Sequence, residues 1–578
     1  MQSRARKRVV SSCIPCYTKK QKCNRRQPCN HCVHRRRPED CIYVPASASQ
    51  TPQAANGSRE GLPAGDDAQR PVANGSDGRA GTSTLGQGSN SIAELYGYVQ
   101  HSTTNTMALV RRLGLEEDES PMSSQSFSGE TMDEIEKSMR KLPDRETLDV
   151  LMQYFVKEVH WMEQVIFLPW FLGQYEQWWN QERRYTVFHV EFAVLFLRVC
   201  SYASQFLPSP SHTIDRIRGM PLDDVRHACD NVADDLAAIG ARADARGALI
   251  RVQHLLILGL QRQCEGRMHA FREALGDAAR VAHRSGLHRG RAAWDHGLTD
   301  ADMEIRCRVF CNLFVRDSVL SRQLDCPPFL SPNITSEHLP YTHSSPNDDA
   351  PDGYSERALQ ARLASFWRGV APRQDSEYEP ILAADRYGKF CSEYLPQLPP
   401  AFALEPSIEW DERFPRLRLQ RQILHVAIFE SLRYNFRPVL LGGSAEQPML
   451  VASQKRALAA AAVMVLDGVA KLHTMLGNSH TRLPTIIMPT FEAAVVLMRL
   501  LMDVNFPGTT SSADAPLRPL GIDPLGETVA LLTRIQCRQA VKQANTRLDM
   551  LAEVSNMAKV GASTLGSLAA RLSSSIVE

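Results

Sequence analysis

The sequence predicts a protein in two parts, a small N-terminal module stapled by metal ligands and a large all-α body, joined by a disordered linker. Three observations carry that prediction. Six of the 14 cysteines fall between Cys13 and Cys41. Residues 46–90 shift to Ala, Gly, Ser, Pro, Asn and Gln with hardly a large apolar side chain, a composition that cannot bury enough surface to offset chain entropy. From about residue 131 onward, apolar residues recur at helical spacing.

The stretch from Cys13 to Cys41 has the spacing C-x2-C-x6-C-x5-C-x2-C-x8-C. Its halves are Cys13, Cys16, Cys23 and Cys29, Cys32, Cys41, and each opens with the short C-x2-C that lets two thiolates grip one metal ion. Thiolate is a zinc ligand by preference. Two separate tetrahedral zinc ions need eight ligand positions, so six thiolates hold two zinc ions only if two cysteines bridge them, in one binuclear cluster of formal charge about −2. Basic residues answer that charge: Lys19, Lys20, Lys22, Arg25 and Arg26 lie within or just after the first half. Lys22, Arg25, Arg26 and the run Arg35, Arg36 and Arg37, which adjoins the metal module, are expected to contact DNA, the arginines at its phosphates. Lys19 and Lys20 fall at the end of a short helix starting near the first cysteine pair, where cations suit the helix dipole, and Pro15 fits its first turn.

Two other readings compete. A disulfide framework is one, but M-Q-S-R-A-R-K-R lacks the apolar core of a signal peptide and the chain is far longer than a disulfide-stapled miniprotein. Two independent zinc knuckles are the other; His31 and His34 are at hand, yet their spacings give no clean second set of four ligands.

These residues resemble the fungal binuclear zinc cluster (Zn2Cys6) transcription factors. All six cysteines fall in the family spacing, Pro28 precedes the fourth cysteine, and Cys41-Ile42-Tyr43 closes the motif. The resemblance implies bridging by Cys13 and Cys29. It also implies base contacts from Lys19 and Lys20 at CGG-type half-sites in the major groove of double-stranded DNA. One departure is Asn24, where Asp is common; it removes a charge but no ligand.

Charge divides the chain. Residues 1–45 hold 12 Lys and Arg against Glu39 and Asp40, leaving 54 basic and 62 acidic residues elsewhere, within a formal net charge of +2. The head therefore faces nucleic acid and the remainder does not. Arg4, Arg6, Lys7 and Arg8 read as a nuclear import signal that also meets phosphates. The boundaries predicted are 1–45 for the DNA-binding module, 46–130 for the flexible linker, 131–345 for a helical regulatory domain and 346–578 for helices continuing it. Ile92, Leu95 and Val99 form an apolar seam where the resemblance puts a dimerising coiled coil and hence a homodimer. Ser102 to Thr106 interrupt it before the three or four heptads a coiled coil needs.

In the body, Met132, Ile135 and Met139 begin one helix, and Leu142-Pro143-Asp144 marks a stop and a restart with Asp144 as cap. The aromatic block from Trp161 to Trp179 reads as core. Phe271, Ala274, Leu275, Ala278, Val281 and Ala282 form one apolar face with Gly286 after it as a left-handed terminal residue. In the helix after Asp300, Glu304 and Arg308 pair one turn apart, until Pro327 and Pro328 close the segment. A-F-R-E-A-L-G-D-A-A-R-V-A-H-R-S-G-L-H-R and E-I-R-C-R-V-F-C-N-L-F-V-R-D-S-V-L-S resemble the fungal-specific transcription factor (middle homology) domain over about residues 140–345. Cys311, Ser318 and Asp325-Cys326 depart from its common residues.

Later amphipathic runs cover Leu417 to Leu432, Leu458 to Leu472 and Phe491 to Met502, and a helical segment with small residues runs from Thr528 to about Leu572. The apolar run Ala457 to Leu466 ends at Asp467 and Arg499 splits the next, so neither is expected to span a bilayer. The remaining cysteines, Cys200, Cys229, Cys264, Cys307, Cys311, Cys326, Cys391 and Cys537, sit among apolar residues and read mostly as core. No H-E-x-x-H, G-x-S-x-G, Walker loop or strand-preceded G-x-G-x-x-G marks an enzyme. Taken together, the resemblance implies a nuclear, non-enzymatic activator of RNA polymerase II genes, working with the transcription machinery on a metabolic or secondary-metabolite gene cluster, its body open to a small-molecule effector. A repressor of the same architecture, or a zinc protein with another role, are the alternatives.

Overall fold

The computed structural model describes residues 15–16, 23–24, 26, 29–35, 41, 106–113 and 127–574, the last range apart from 182–184, 208–215, 218–219, 245–246, 292–293, 295–296, 332–333, 341–350, 371–377, 442–446, 478–482, 504–505, 508–518 and 520. The chain divides into two compact units, residues 1–86 and 87–578. Both the linker at 46–90 and the seam of Ile92, Leu95 and Val99 lie outside the described residues.

In the first unit, Pro15 and Cys16 are helical, and a short helix α1 (Asn30–His34) carries Cys32. The second unit opens with α2 (Thr106–Arg112), inside the stretch that composition assigned to linker. The run Met107-Ala108-Leu109-Val110 explains it, since Met107 and Ala108 are buried.

Capping sets the next two helices. Helix α3 (Gly129–Met139) starts at Ser128, whose side chain accepts from Thr131 N. After Pro143, Asp144 accepts from Thr147 N at 2.8 Å and starts α4 (Arg145–Tyr154). The helix then widens into a π turn, Phe155–Val159, before α5 (His160–Glu163). Helix α6 (Leu168–Asn180) buries Phe171 and Trp178, and Trp178 Nε1 donates to His189 O at 3.0 Å. The aromatic block is core, as read from sequence.

Helix α7 (Val187–Ser204) is the most enclosed element. A two-residue antiparallel ladder, β1 (Arg216–Ile217) with β2 (Met220–Pro221), pairs Arg216 with Pro221 and Ile217 with Met220; it is the only sheet among the described residues. Helices α8 (Leu222–Ala243) and α9 (Leu249–Cys264) pack on α7, and α10 (Met268–Arg284) packs on α9. A Cβ on Gly259 would come within 3.0 Å of the Phe271 ring, so glycine permits that close approach of α9 and α10. All six predicted core residues of α10 are buried, and Gly286 follows with φ +70°.

Helix α11 (Asp300–Gln323) carries the expected pair, Arg308 Nε to Glu304 Oε1 at 2.7 Å. It packs on α12 (Ser355–Val370). Asp317, 1% exposed, accepts from the backbone N–H of Phe329 and of Leu330 at 2.9 Å each and from Arg368 at 2.7 Å. One carboxylate thereby ties the Pro327-Pro328 loop to both helices.

Helix α13 (Pro380–Lys389) runs into a second π turn, Phe390–Tyr394. The remaining helices are α14 (Leu417–Phe436), α15 (Pro448–Leu476), α16 (Pro484–Leu501), α17 (Gly526–Leu531), α18 (Arg534–Leu551) and α19 (Asn556–Ser574). Consecutive pairs from α14 to α16 pack together, α18 and α19 cover α16, and α12 joins α14. A continuous apolar cluster runs from Ile135 to Leu565. Of the eight body cysteines all but the partly exposed Cys326 are buried.

The length argument against bilayer spans is overturned. Helices α7, α15 and α16 extend beyond their apolar runs to 18, 29 and 18 residues and are long and apolar enough to cross a membrane by length and composition. Packing covers much of that apolar surface, since 83% of the α7 window, 67% of the α16 window and 50% of the α15 window are buried inside the protein.

Helix α7 also buries Glu191, which accepts from Arg251 Nε at 3.0 Å and from His254 Nε2 at 2.8 Å. Burial by itself would raise the Glu191 pKa, but the bonds and charges of His254 and Arg251 outweigh it and hold the carboxyl at about 2. Burial lowers His254 to about 4 in spite of its bond to Glu191. An ionised carboxylate can only accept, so Nε2 carries the proton of a neutral imidazole. Between the ordinary histidine pKa of about 6.5 and 4, the unfolded chain therefore binds a proton that the folded chain does not, and stability falls as pH falls. Thermal unfolding should show this loss across that window, on the order of 3 kcal/mol from His254 at its acid end, and His254→Gln should remove that share while leaving the smaller one of His160 and His425, whose pKa values burial also lowers.

Candidate metal centre and nucleic-acid interface

The first unit has no large apolar side chain in its described core; the residues buried there are Cys16, Cys29, Cys32 and Cys41, with Cys23 packed against them. Cys29 is the residue before α1, and its sulfur accepts from Cys32 N at 3.4 Å. Cys41 Sγ accepts from Cys29 N at 3.1 Å and lies 4.0 Å from Arg26 O.

The ligand atoms of Cys16, Cys29 and Cys32 all lie within 4.8 Å of one another. Sγ of Cys16 and Sγ of Cys29 are 3.5 Å apart, far outside the roughly 2.05 Å of a disulfide. Neither His31 nor His34 joins the converging set. Buried, convergent sulfur donors with backbone N–H support are a donor set that fits zinc.

Of the residues expected to contact DNA, Arg26 is exposed and Arg35 is partly exposed at the C-cap of α1. Lys19, Lys20, Lys22, Arg25, Arg36 and Arg37 lie outside the described residues, as does the sixth cysteine, Cys13.

Asn24 has a role that its charge alone did not suggest. Its Oδ1 accepts from Arg26 N at 3.4 Å and from Asn30 N at 3.3 Å, fixing the strand between the halves to the start of α1. The Asx pattern, a side-chain oxygen bonded to the backbone two residues on, is the sequence signal for it. Both bonds need an acceptor and neither needs a charge. Zinc retention against a competing chelator should therefore be unchanged in Asn24→Asp and several-fold weaker in Asn24→Ala, a loss of about 1 kcal/mol.

Comparison with known proteins places this architecture. Residues 152–355 match the fungal specific transcription factor domain. The chain is 40% identical to Transcription factor xilB of Penicillium rubens over 98% of this chain and 87% of that protein. It is 38% identical to Probable transcription factor sol4 of Alternaria solani over 75% of this chain and 80% of that protein. Likeness along nearly the whole length, with the domain match in the helical body, means that the chain belongs to the fungal-specific transcription factor family.

Proposed function

We propose that this transcription factor is a sequence-specific DNA-binding activator of RNA polymerase II genes that acts in the nucleus. Convergence of the Cys16, Cys29 and Cys32 sulfurs within 4.8 Å is the observation that carries the reading. Cys13, Cys16, Cys23, Cys29, Cys32 and Cys41 hold two zinc ions, with Cys13 and Cys29 shared between them. The metal supplies the cross-links that a module without an apolar core lacks. The protein's own groups do the reading: Lys19 and Lys20 donate to guanine O6 and N7 of a CGG half-site, while Lys22, Arg25, Arg26, Arg35, Arg36 and Arg37 meet phosphates. The helical body is the regulatory part, through which a small-molecule effector acts.

Metal analysis of the full chain should give two zinc ions per chain; one ion, or none lost to a strong chelator, contradicts the shared-ligand cluster.

The two classes of basic residue separate by salt titration on matched and scrambled duplexes. Lys20→Ala should cost about 1–3 kcal/mol on the cognate site and erode the preference for guanine. Arg36→Ala should weaken cognate and scrambled DNA alike and lower the salt slope by about one unit. Equal losses on both duplexes for Lys20→Ala would show that this lysine is only a phosphate contact.

A further inference from the structure

A cleft of about 330 Å³ opens between α15 and α18, within the roughly 300–1,000 Å³ typical of ligand sites. Its walls carry Lys542, Arg547, His473 and the amides of Gln539 and Gln543, with Met550 as the large apolar side chain and no acidic residue.

Arg547 is 8% exposed, and its Nη1 is buried with no hydrogen-bond partner. Among the described residues the guanidinium makes no hydrogen bond and no ion pair. Asp467, on the wall of the neighbouring larger cavity, is the acid whose charge reaches it. That carboxylate is shared, because Lys471 acts on it as well as Arg547. One negative charge thus faces two positive ones, and Lys542, exposed at the cleft, adds a third with no ion-pair partner among the described residues.

The donors left over are the charged ones. Thr474 and Thr546 on the cleft wall give their hydroxyl protons to Ala470 O at 2.9 Å and Lys542 O at 3.1 Å. The field of Arg547 reaches His473, whose pKa is lowered first by burial and then by that charge, so the imidazole is neutral at neutral pH. A buried guanidinium with donors to spare, in a cleft without acids, marks a place where an acceptor is missing.

We propose that this cleft binds a small organic dicarboxylate, one carboxylate on Arg547 and the other on Lys542. The two cations stand five positions apart on α18, about 7.5 Å along the helix axis, a spacing that suits two separated charges rather than one compact phosphate. A guanidinium also matches a carboxylate with two parallel donors. This inference rests on reading the helical body as the regulatory part, and it names the chemistry of that body's effector.

Calorimetric titration of the full-length protein at fixed ionic strength tests it with three probes: glutarate, butyrate, which has one charge on a similar body, and inorganic phosphate, which has charge without the spacing. Glutarate should bind saturably at one site per chain, about tenfold or more tighter than either control. Lys542→Met, at an exposed position, should bring glutarate down to the affinity of butyrate. Arg547→Met should abolish saturable binding, and because it removes a buried charge that has no close partner, its melting temperature should be no lower than that of the unaltered protein. No saturable glutarate binding, butyrate or phosphate binding as tightly, or glutarate binding unchanged in either variant overturns the proposal. So does a marked drop in the melting temperature of Arg547→Met, the sign of an arginine that serves only the fold. The duplex titrations are independent of all these outcomes, so failure of this site and failure of the DNA-binding reading are told apart.

Discussion

Arg357 is 2% exposed and Arg433 1% exposed, and a guanidinium that deep in a helical body has to find carboxylates and carbonyls or the fold does not close around it. Arg357 meets Glu163, Glu356 and Met162 O, and Arg433 meets Glu430 and Glu492. Asp317 does the same with the sign reversed, between α11 and α12. Removing one partner from such a pair costs about 3–5 kcal/mol, a large part of the stability of any domain. Apolar burial is non-directional, so these pairs give the helix arrangement its register while the cluster from Ile135 to Leu565 supplies most of the favourable free energy.

That division of labour also explains a small cavity in the body. Helices carrying charged residues at their crossing cannot approach as closely as helices carrying only Leu and Val, because each guanidinium brings donors that need acceptors in fixed directions. Where those directions are not met, a polar atom is left without a partner, as the donor Arg316 Nε and the acceptor Gln323 Oε1 are beside the cavity of about 100 Å³ between α11, α12 and α14. The apolar character of α7, α15 and α16 comes from the same source. They lie in a body large enough to surround a helix, with 83% of the α7 window, 67% of the α16 window and 50% of the α15 window buried inside it.

The N-terminal unit stands on different physics. Its described core consists of cysteines, and its hydrogen bonds run from backbone N–H to sulfur and to Asn24. Without an apolar core among the described residues, its burial falls on a converging set of sulfur donors instead. Of its described basic residues, Arg26 is exposed and Arg35 partly exposed.

What the sequence by itself determined is what short-range chemistry determines. Cysteine spacing announced a converging thiolate set, Asp144 and Gly286 marked helix ends, and Glu304 with Arg308 announced a pair, because each of these needs only neighbours within about one turn. The M-A-L-V run of α2 was legible too, but composition over a long window drowned it. Tertiary structure decided the rest: that Glu191 on α7 meets His254, 63 positions away, that Arg357 reaches Met162 O across 195 positions, and that Arg433 meets Glu492 across 59. No periodicity records such partners. A buried charge acquires its meaning only from the groups that folding brings within about 4 Å of it, and the Coulomb and desolvation terms that decide its state depend on that distance and not on position in the chain.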